Sequence, residues 1–400
     1  MISVNAAEKI ILEKVKLFPV VSVALDECLG MVLREDIYAD RDQPPFDKSL
    51  ADGIAVSSKA WQRGIKSFLV EGIQPAGKKP LKIKCHDGCV EIMTGAVVPK
   101  GLDAVVPVER ISVEGKIATI APGWEARRGD HIRPQGSDAG KGDLFLKKGT
   151  VIGPQHIGIL ASAGKYKVKV SRSPAIAIIS TGDELVDVGK SVQFYQTRKS
   201  NSHALKAILT KTGYSNAKMF HIKDNIKQLT VQSRKVLKDF DVVILSGGVS
   251  MGKFDYVPLV LKDLKVKVLF HRVAQKPGKP FWFGKTTDGK PVFALPGNPV
   301  STQMCACRYV LPYLKKASGV SKSLHAWASL AENFAVKTDL AYFLPVRLSS
   351  GQEGKLQAHP VANYSGSGDY AALADADGFA EFPSGVNNFM RESTIKIFLW

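Results

Sequence analysis

The chain has 400 residues and a formal net charge of +18, with 45% hydrophobic and 23% charged residues. This length exceeds what one hydrophobic core usually serves and predicts roughly two to four domains of ordinary globular composition. No apolar run is long enough to span a bilayer and no N-terminal signal is visible, so we expect a cytoplasmic protein without a membrane partner.

The distribution of charge and the cysteine content argue against a nucleic-acid-binding, disulfide-rich or zinc-binding protein. The basic residues are scattered, and neither zinc-finger spacing nor an RNA-binding aromatic signature is present, so we expect no nucleic-acid partner. A basic surface would still attract a polyanionic small substrate. Five cysteines make a poor disulfide framework. Cys85 and Cys89 lack a second Cys/His pair, which favours a structural role over zinc, and we expect Cys305 and Cys307 in the core.

The sequence pattern of residues 1–168 changes from helical to β-rich and then back to helical. Ala6–Leu17 has helical periodicity, and Val32–Tyr38 reads as extended chain. From about residue 40 to 131, short β-like runs alternate with Gly, Pro and Asp turns, which predicts a small β-rich domain. Thr150–Ala163 contains a further predicted helix. We expect residues 1–39 and 132–168 to form one discontinuous linker domain, with residues 40–131 inserted into it.

Residues 169–318 alternate strands and helices, which predicts a mostly parallel α/β sheet with helices on both faces. The predicted strands are Ala175–Ser180, Ala217–His221, Asp241–Ser246, Val266–Phe270, Phe281–Gly284 and Val292–Leu295. The predicted helices are Ser202–Lys211, Ile226–Phe240, Tyr256–Lys262 and Ser301–Ala317. Thr287-Asp288-Gly289 predicts a hairpin turn between the last two strands. Residues 319–400 return to strand-length segments and predict a C-terminal β-barrel-like domain.

Four apolar strands of this region end on polar loops. The loops are STGDE (Ser180–Glu184), SGGVS (Ser246–Ser250), KPGKPF (Lys276–Phe281) and LPGNPVS (Leu295–Ser301). The carboxyl ends of strands in open α/β sheets bind ligands, and Gly/Ser loops offer backbone N–H groups to anions. The sequence therefore predicts a site for a phosphorylated or oxyanionic small molecule at this edge.

In this order, the four loops resemble the molybdopterin molybdenumtransferase family, called MoeA in bacteria, which includes the E domain of gephyrin. PFDKSLADGIAV (Pro45–Val56) and EIMTGAVVP (Glu91–Pro99) agree with the same family. The resemblance implies a multidomain α/β fold with a MogA-like sheet domain. It also implies an enzyme that inserts molybdenum from molybdate into adenylylated molybdopterin, releasing AMP with the help of Mg²⁺.

The resemblance gives roles to charged residues. Lys276 and Lys279 flank a rigid Pro-Gly turn, and fixed cations suit molybdate binding and charge stabilisation at the anhydride. Arg272 lies upstream, where the family often has a basic residue; the alternative is that these are solvated surface cations. Mg²⁺ takes few carboxylates together with substrate phosphates, so Asp224 and Asp255 are the expected metal and anhydride carboxylates. A plain loop residue is the alternative for Asp224.

The resemblance also implies substrate contacts. Ser301 is expected to open and cap the helix that follows Pro-Gly-Asn-Pro, and the resemblance places it in the molybdate pocket. Arg347 and Ser367 are expected to reach the molybdate pocket from the last domain. The other implied contacts are Thr94, Thr181, Asp183, Glu184, Ser246, Gly247, Gly248, Ser250, Pro296, Gly297 and Asn298.

In the family, the inserted domain is a lid that closes over the active site of the other subunit of a homodimer. Asp52 is therefore the expected catalytic carboxylate acting in trans. The chain departs from the family pattern at Leu50-Ala51, although Asp52-Gly53 is kept. It departs again at Arg198-Lys199, where many members carry an acidic residue, while Ser200-Asn201 persists.

Three alternatives stay open. Molybdopterin adenylyltransferases and competence-damage-type nucleotide pyrophosphatases have related sheet domains, but PFDKSLADG and the lysine pair argue against both. A gephyrin-like scaffold is the non-enzymatic alternative, although nothing here encodes a receptor-binding extension. Since no adenylyltransferase domain is attached, we expect a separate adenylyltransferase partner.

Overall fold

The computed structural model describes residues 1–85, 87–249, 255–321, 326–351 and 354–400. The chain divides into two compact units. The larger contains Met1–Glu35, Lys148–Gly153 and Lys167–Trp400, and the smaller contains Asp36–Lys147 and Pro154–Tyr166. Within the described ranges, no helix has both the length and the apolar character needed to cross a membrane.

The smaller unit is rich in β-structure, as predicted. Its main sheet has six described strands, in the spatial order Ala104–Pro107, Gly53–Val56, Gly88–Ile92, Ser67–Gln74, Ile117–Ile120 and Ile111–Glu114. Two short pairs join Ile37–Tyr38 to Leu144–Leu146 and Lys48–Ser49 to Ile132–Arg133. The helical segments are Ser58–Gln62, Val108–Arg110 and Pro154–Ser162. Residues of one strand alternate between two apolar clusters: Ile54 and Val56 lie in one, and Ala55 lies in the other.

The larger unit is built on a sheet with six described strands. In spatial order they are Ala217–Ile222, Ile176–Thr181, Val242–Ser246, Pro291–Leu295, Trp282–Lys285 and Lys267–His271. The first four strands are mutually parallel, and Trp282–Lys285 is antiparallel to both of its neighbours. The edge strand Lys267–His271 therefore runs in the same direction as the first four. The prediction of a mostly parallel sheet is confirmed.

Both faces of this sheet are buried, which explains why its strands read as continuous apolar runs. In strand Ile176–Thr181, Ile176 and Ile178 pack into one core cluster, and Ala177 and Ile179 pack into the other. The described helices of this unit are Val4–Leu12, Leu25–Glu27, Asn201–Lys211, Ile226–Asp239, Val257–Asp263, Pro299–Cys305, Leu311–Ser318 and Ala371–Ala374. Cys305 and Cys307 lie in the core, as predicted.

The N-terminal helix is shorter than predicted. It begins after Ser3, whose Oγ accepts the N–H of Ala6 at 3.2 Å, and it ends at Leu12. Glu13 is extended and Lys14 has a φ of 48°, so the residues up to Leu17 are not helical although their sequence pattern predicts a helix. The chain then forms strand Val20–Ala24, which pairs with Lys167–Ser171.

The C-terminal part of the larger unit contains a barrel of five described strands. Ala341–Ser350 pairs with Leu356–Pro360 on one side and with Gly378–Phe382 on the other, and Ala326–Leu330 and Thr394–Leu399 close the ring. Gln275–Lys276 adds to Ala341–Ser350 in parallel, which connects the sheet's edge loop to the barrel. Smaller pairs join Leu185–Val186 to Thr197–Arg198 and Phe334–Ala335 to Asn388–Phe389.

The predicted helix Ser301–Ala317 is interrupted. Pro299–Cys305 and Leu311–Ser318 are α-helical, and Ala306–Val310 between them forms a π-turn. Pro312 lacks the N–H that would donate to the carbonyl of Arg308, and a widened turn accommodates that loss.

Arg308 lies in the π-turn and joins three segments. Its side chain is 1% exposed and contacts Glu8 of the N-terminal helix, with Nη2 to Oε2 at 2.9 Å. Its Nε lies 3.1 Å from Oε2 of Glu381 on barrel strand Gly378–Phe382. Burial raises the pKa of Glu381, while Arg308 acts to lower it. The pKa of Glu381 remains raised, so the cation offsets only part of the effect of burial.

We expect Arg308→Leu to lower the free energy of unfolding by about 3–5 kcal/mol, because removing one partner of a buried ion pair leaves the other charge uncompensated. The loss should shrink as the pH falls from 7 to 5, since a protonated Glu381 needs no cation. Urea denaturation monitored by circular dichroism measures both effects, with Arg391→Leu as an exposed control. Equal midpoints for Arg308→Leu and the parent would contradict this role.

Candidate functional site

The loops that follow four strands of the sheet meet at one edge of the larger unit. Strands Ile176–Thr181, Val242–Ser246, Pro291–Leu295 and Lys267–His271 all point their carboxyl ends to this edge. A cavity of about 820 Å³ opens there. The predicted site residues that line it are Thr181, Glu184, Asp224, Ser246, Gly247, Gly248, Asp255, Pro296, Gly297 and Asn298.

The glycine loop needs its glycines at two positions. Gly247 and Gly248 have φ values of 97° and 67°, a region in which L-residues are strained. A Cβ on Gly247 would lie 2.9 Å from the carbonyl oxygen of Thr181, and one on Gly248 would lie 2.8 Å from Thr181 Oγ1. The loop therefore passes closely over the end of the neighbouring strand. Ser250 of the same motif lies outside the described residues.

Carboxylates cluster on one wall of the cavity. The N–H of Asp224 donates to Oδ1 of Asp183 at 3.3 Å, and both Glu184 and Asp255 line the same cavity. Burial raises the pKa of Asp224, and the charges of Asp183, Glu184 and Asp255 raise it further. A carboxylate whose pKa is raised by neighbouring carboxylates marks a favourable place for a cation.

Mg²⁺ fits this donor set. Among the described residues, no three His, Cys, Asp or Glu side chains converge into a complete metal cage. Mg²⁺ does not require one, because it keeps several waters and uses one or two carboxylates together with substrate phosphates. Asp224 and Asp255 could supply those carboxylates.

Asn201 was missed as a site residue by sequence reasoning. It begins helix Asn201–Lys211, and its Nδ2 donates to Gly297 O at 2.6 Å and to Ser246 Oγ at 3.0 Å. A carbonyl can only accept, so the amide orientation is fixed and Oδ1 remains an acceptor. That Oδ1 is buried without a partner among the described residues. Ser200-Asn201 before a predicted helix was the available signal, but the two loops that Asn201 joins are distant in sequence.

The Pro-Gly-Asn-Pro loop leads into a helix that begins earlier than predicted. The helix is Pro299–Cys305, so Asn298 holds the N-cap position. Ser301 lies within the first turn, is 2% exposed and does not line the cavity, so the expectation that it caps the helix was wrong. Asn298 instead donates through Nδ2 to Ser367 Oγ at 2.7 Å, and Ser367 O accepts the N–H of Val300. Ser367 is thus brought to the site edge.

The two lysines lie on the loop that joins the edge strand Lys267–His271 to Trp282–Lys285. Lys276 and Lys279 are exposed, whereas Pro277 and Gly278 between them are buried. Neither lysine lines the 820 Å³ cavity, although the adjacent Pro280 does. Neither forms an ion pair with a carboxylate of the described residues. Both ammonium groups are therefore available to an external anion.

A buried glutamine supports this lysine loop. Gln275 is 0% exposed, and its Nε2 donates to Gly278 O at 3.1 Å. Its Oε1 accepts the hydroxyl hydrogen of Tyr309 at 2.5 Å. Burial raises the pKa of Tyr309 well above its usual value, so the hydroxyl stays protonated and can donate. Gly278 has a φ of 90°, and a Cβ there would lie 2.7 Å from Gln275 Nε2, so the turn tolerates only glycine.

Two predicted cations stand apart from the cavity. Arg272 is half-buried with a φ of 74°, which is uncommon for a residue with a Cβ, and its N–H donates to Phe281 O. Arg347 is exposed on a barrel strand opposite His359. Neither residue lines the cavity.

Asp52 and Thr94 belong to the smaller unit and interact there. The N–H and the hydroxyl of Thr94 donate to Oδ1 of Asp52 at 2.6 and 2.8 Å. These hydrogen bonds lower the pKa of Asp52. Gly53 follows with a φ of 155°, and a Cβ there would lie 1.9 Å from Val106 O, which explains why the Asp-Gly pair is kept. Asp52 is an exposed, fixed negative charge.

Family models match three successive parts of the chain. They are described as the MoeA N-terminal region (domain I and II), over residues 2–164, a probable molybdopterin binding domain, over residues 177–316, and the MoeA C-terminal region (domain IV), over residues 328–399. The matches therefore cover both units.

Curated relatives match over the full length. A molybdopterin molybdenumtransferase of Synechocystis is 36% identical over 401 residues, covering 100% of both chains. One from Staphylococcus aureus is 32% identical, covering 100% of this chain and 95% of the relative. The crystal structure of a molybdopterin biosynthesis MoeA protein from Pyrococcus horikoshii is similar, with a TM-score of 0.82, 29% identity and coverage of 100% and 99%. The chain belongs to the MoeA family of molybdopterin molybdenumtransferases, as its loops predicted.

Proposed function

We propose that this protein acts in molybdenum cofactor biosynthesis by inserting molybdenum from molybdate into adenylylated molybdopterin, with release of AMP. The convergence of a carboxylate wall and a close-packed glycine loop on one edge of the sheet carries the proposal. A phosphoanhydride with its cation fits between the carboxylate wall and the glycine loop. Full-length relatives named molybdopterin molybdenumtransferase support the same activity.

The charged side chains have different roles, with lysines acting on the anions and aspartates on the cation. Lys276 and Lys279 attract molybdate and stabilise negative charge that develops as the P–O bond of the anhydride breaks. Asp224 and Asp255 would hold Mg²⁺, which supplies neutralisation of phosphate charge when bound. The Gly247-Gly248 loop and Asn201 bind and orient the substrate.

The flanking regions favour this function over its alternatives. An adenylyltransferase or nucleotide pyrophosphatase that shared only the sheet domain would not account for the family matches over residues 2–164 and 328–399. We further propose a cytoplasmic homodimer that receives its substrate from a separate adenylyltransferase. Asp52 then acts as a fixed charge in the active site of the second subunit.

The purified protein, given adenylylated molybdopterin and Mg²⁺, should release AMP only when molybdate is added. Lys279→Gln should lower this turnover by about 10²-fold, as expected for the loss of one charge-stabilising group. Lys316→Gln, an exposed lysine on helix Leu311–Ser318, is the matched control. Substrate binding without molybdate-dependent AMP release would overturn the proposal.

Asp52→Asn keeps the acceptor for Thr94 and removes only the charge, so we expect a fold intact by circular dichroism and a large loss of turnover. Mixing Asp52→Asn subunits with Lys279→Gln subunits tests the action in trans. Random pairing should restore about a quarter of the parent activity, because half of the dimers are mixed and each has one complete site. If the mixture stays inactive although mixed dimers form, Asp52 does not act in trans.

Tyr309→Phe removes one buried hydroxyl that supports the lysine loop through Gln275. A hydrogen bond is worth about 0.5–1.5 kcal/mol, so we expect a several-fold higher KM for molybdate and an unchanged KM for the pterin substrate. Tyr313→Phe is the control: Tyr313 is 2% exposed on the adjoining helix, and no hydrogen bond joins it to the described loop residues. Equal molybdate KM values in both variants would show that the hydroxyl does not position the loop.

A further inference from the structure

One wall of the cavity is basic, and the function proposed above leaves it without a role. Arg198, Lys199 and Ser200 line the cavity together with the carboxylates Glu184, Asp224 and Asp255. Arg198 ends the short strand Thr197–Arg198, which pairs in parallel with Leu185–Val186. This pairing fixes the backbone that presents both cations.

The two cations differ in what already neutralises them. Lys199 forms an ion pair with Asp187, its side chain is 12% exposed, and it lowers the pKa of that carboxyl. Arg198 is exposed, and its Nη2 lies 3.5 Å from the carbonyl oxygen of Lys190. No carboxylate of the described residues lies within ion-pair distance of Arg198. Its charge is therefore available to a ligand in the cavity.

A helix begins three residues after Arg198 and lines the same cavity. Asn201–Lys211 has 11 residues, and its first N–H groups have no partner within the helix. Ser200 at the N-cap makes no side-chain capping hydrogen bond, and its hydroxyl contacts the hydroxyl of Tyr370 instead. The partial positive charge of the helix N-terminus thus adds to that of Arg198 on the same wall.

A buried hydroxyl in the same cavity also lacks a partner. Thr181 lines the cavity and is 4% exposed, and its Oγ1 makes no hydrogen bond within the described residues. The glycine loop covers this hydroxyl, since a Cβ on Gly248 would lie 2.8 Å from Thr181 Oγ1. On the open wall, the N–H groups that begin the helix and the guanidinium of Arg198 together suit a phosphate group.

We propose that Arg198 and the N-terminus of helix Asn201–Lys211 form a phosphate subsite that orients the substrate across the cavity. The inference rests on the function proposed above and assigns Arg198 as a specificity-determining residue. A phosphate held at the basic wall leaves the rest of the phosphoanhydride facing the carboxylates, where the cation is expected. The phosphate belongs either to the nucleotide half or to the pterin half of the substrate.

The test uses the full chain and ligands that need no turnover. Arg198→Ala should bind AMP roughly 10- to 100-fold more weakly than the parent by calorimetry, the range expected for charge-assisted hydrogen bonds. Arg198→Lys should recover part of that affinity, since lysine keeps the positive charge but lacks the planar guanidinium that can donate two parallel hydrogen bonds to a phosphate. Adenosine, which has no phosphate, should bind all variants alike. Arg234→Ala, an exposed arginine on helix Ile226–Asp239, is the matched control.

The outcomes separate the two sources of phosphate. Weaker AMP binding by Arg198→Ala assigns the nucleotide phosphate to the subsite. Unchanged AMP binding with a higher KM for adenylylated molybdopterin, at unchanged kcat, assigns the pterin phosphate. If neither quantity changes, the subsite is wrong, even where AMP release depends on molybdate. If the parent releases no AMP but Arg198→Ala still loses AMP affinity, the proposed function fails and the subsite stands.

Discussion

A guanidinium that is 1% exposed must keep its carboxylate partners, and this requirement at Arg308 governs much of the larger unit. Its partners come from opposite ends of the chain: Glu8 lies on the N-terminal helix and Glu381 lies on a barrel strand. Arg308 itself follows the helix that begins at the Pro-Gly-Asn-Pro loop. One buried cation therefore joins the first helix and the barrel to the helix that borders the candidate site.

The same π-turn connects this ionic centre to the lysine loop. Tyr309 follows Arg308 directly, stacks on Phe281 with ring centroids 4.8 Å apart, and donates to Gln275. Gln275 in turn holds the carbonyl of Gly278, between the two lysines. Structural and functional groups are thus neighbours on one turn of helix. Lysines on an exposed loop gain fixed positions because the residues beneath them are buried and hydrogen-bonded.

The strands could be predicted from the sequence, because a sheet buried on both faces requires continuous apolar runs such as Ile176–Thr181. The meeting of the loops could also be predicted, since the carboxyl ends of parallel strands lie at one edge of a sheet. The sequence could not reveal Asn201 as a bridge between Ser246 and Gly297, because such contacts depend on tertiary packing. The helix start at Pro299 was missed although the sequence carried a signal for it, since proline's missing N–H and fixed φ suit the first helical position.

The protonation behaviour of two carboxylates indicates different tasks for them. Thr94 donates two hydrogen bonds to Asp52 and lowers its pKa, so Asp52 keeps its charge and is a poor proton carrier. Burial and neighbouring carboxylates raise the pKa of Asp224. A divalent cation beside Asp224 would offset that repulsion and favour the ionised form, so cation binding there would be linked to proton release. Asp52 provides a constant charge, whereas a cation in the cavity would favour the ionised form of Asp224.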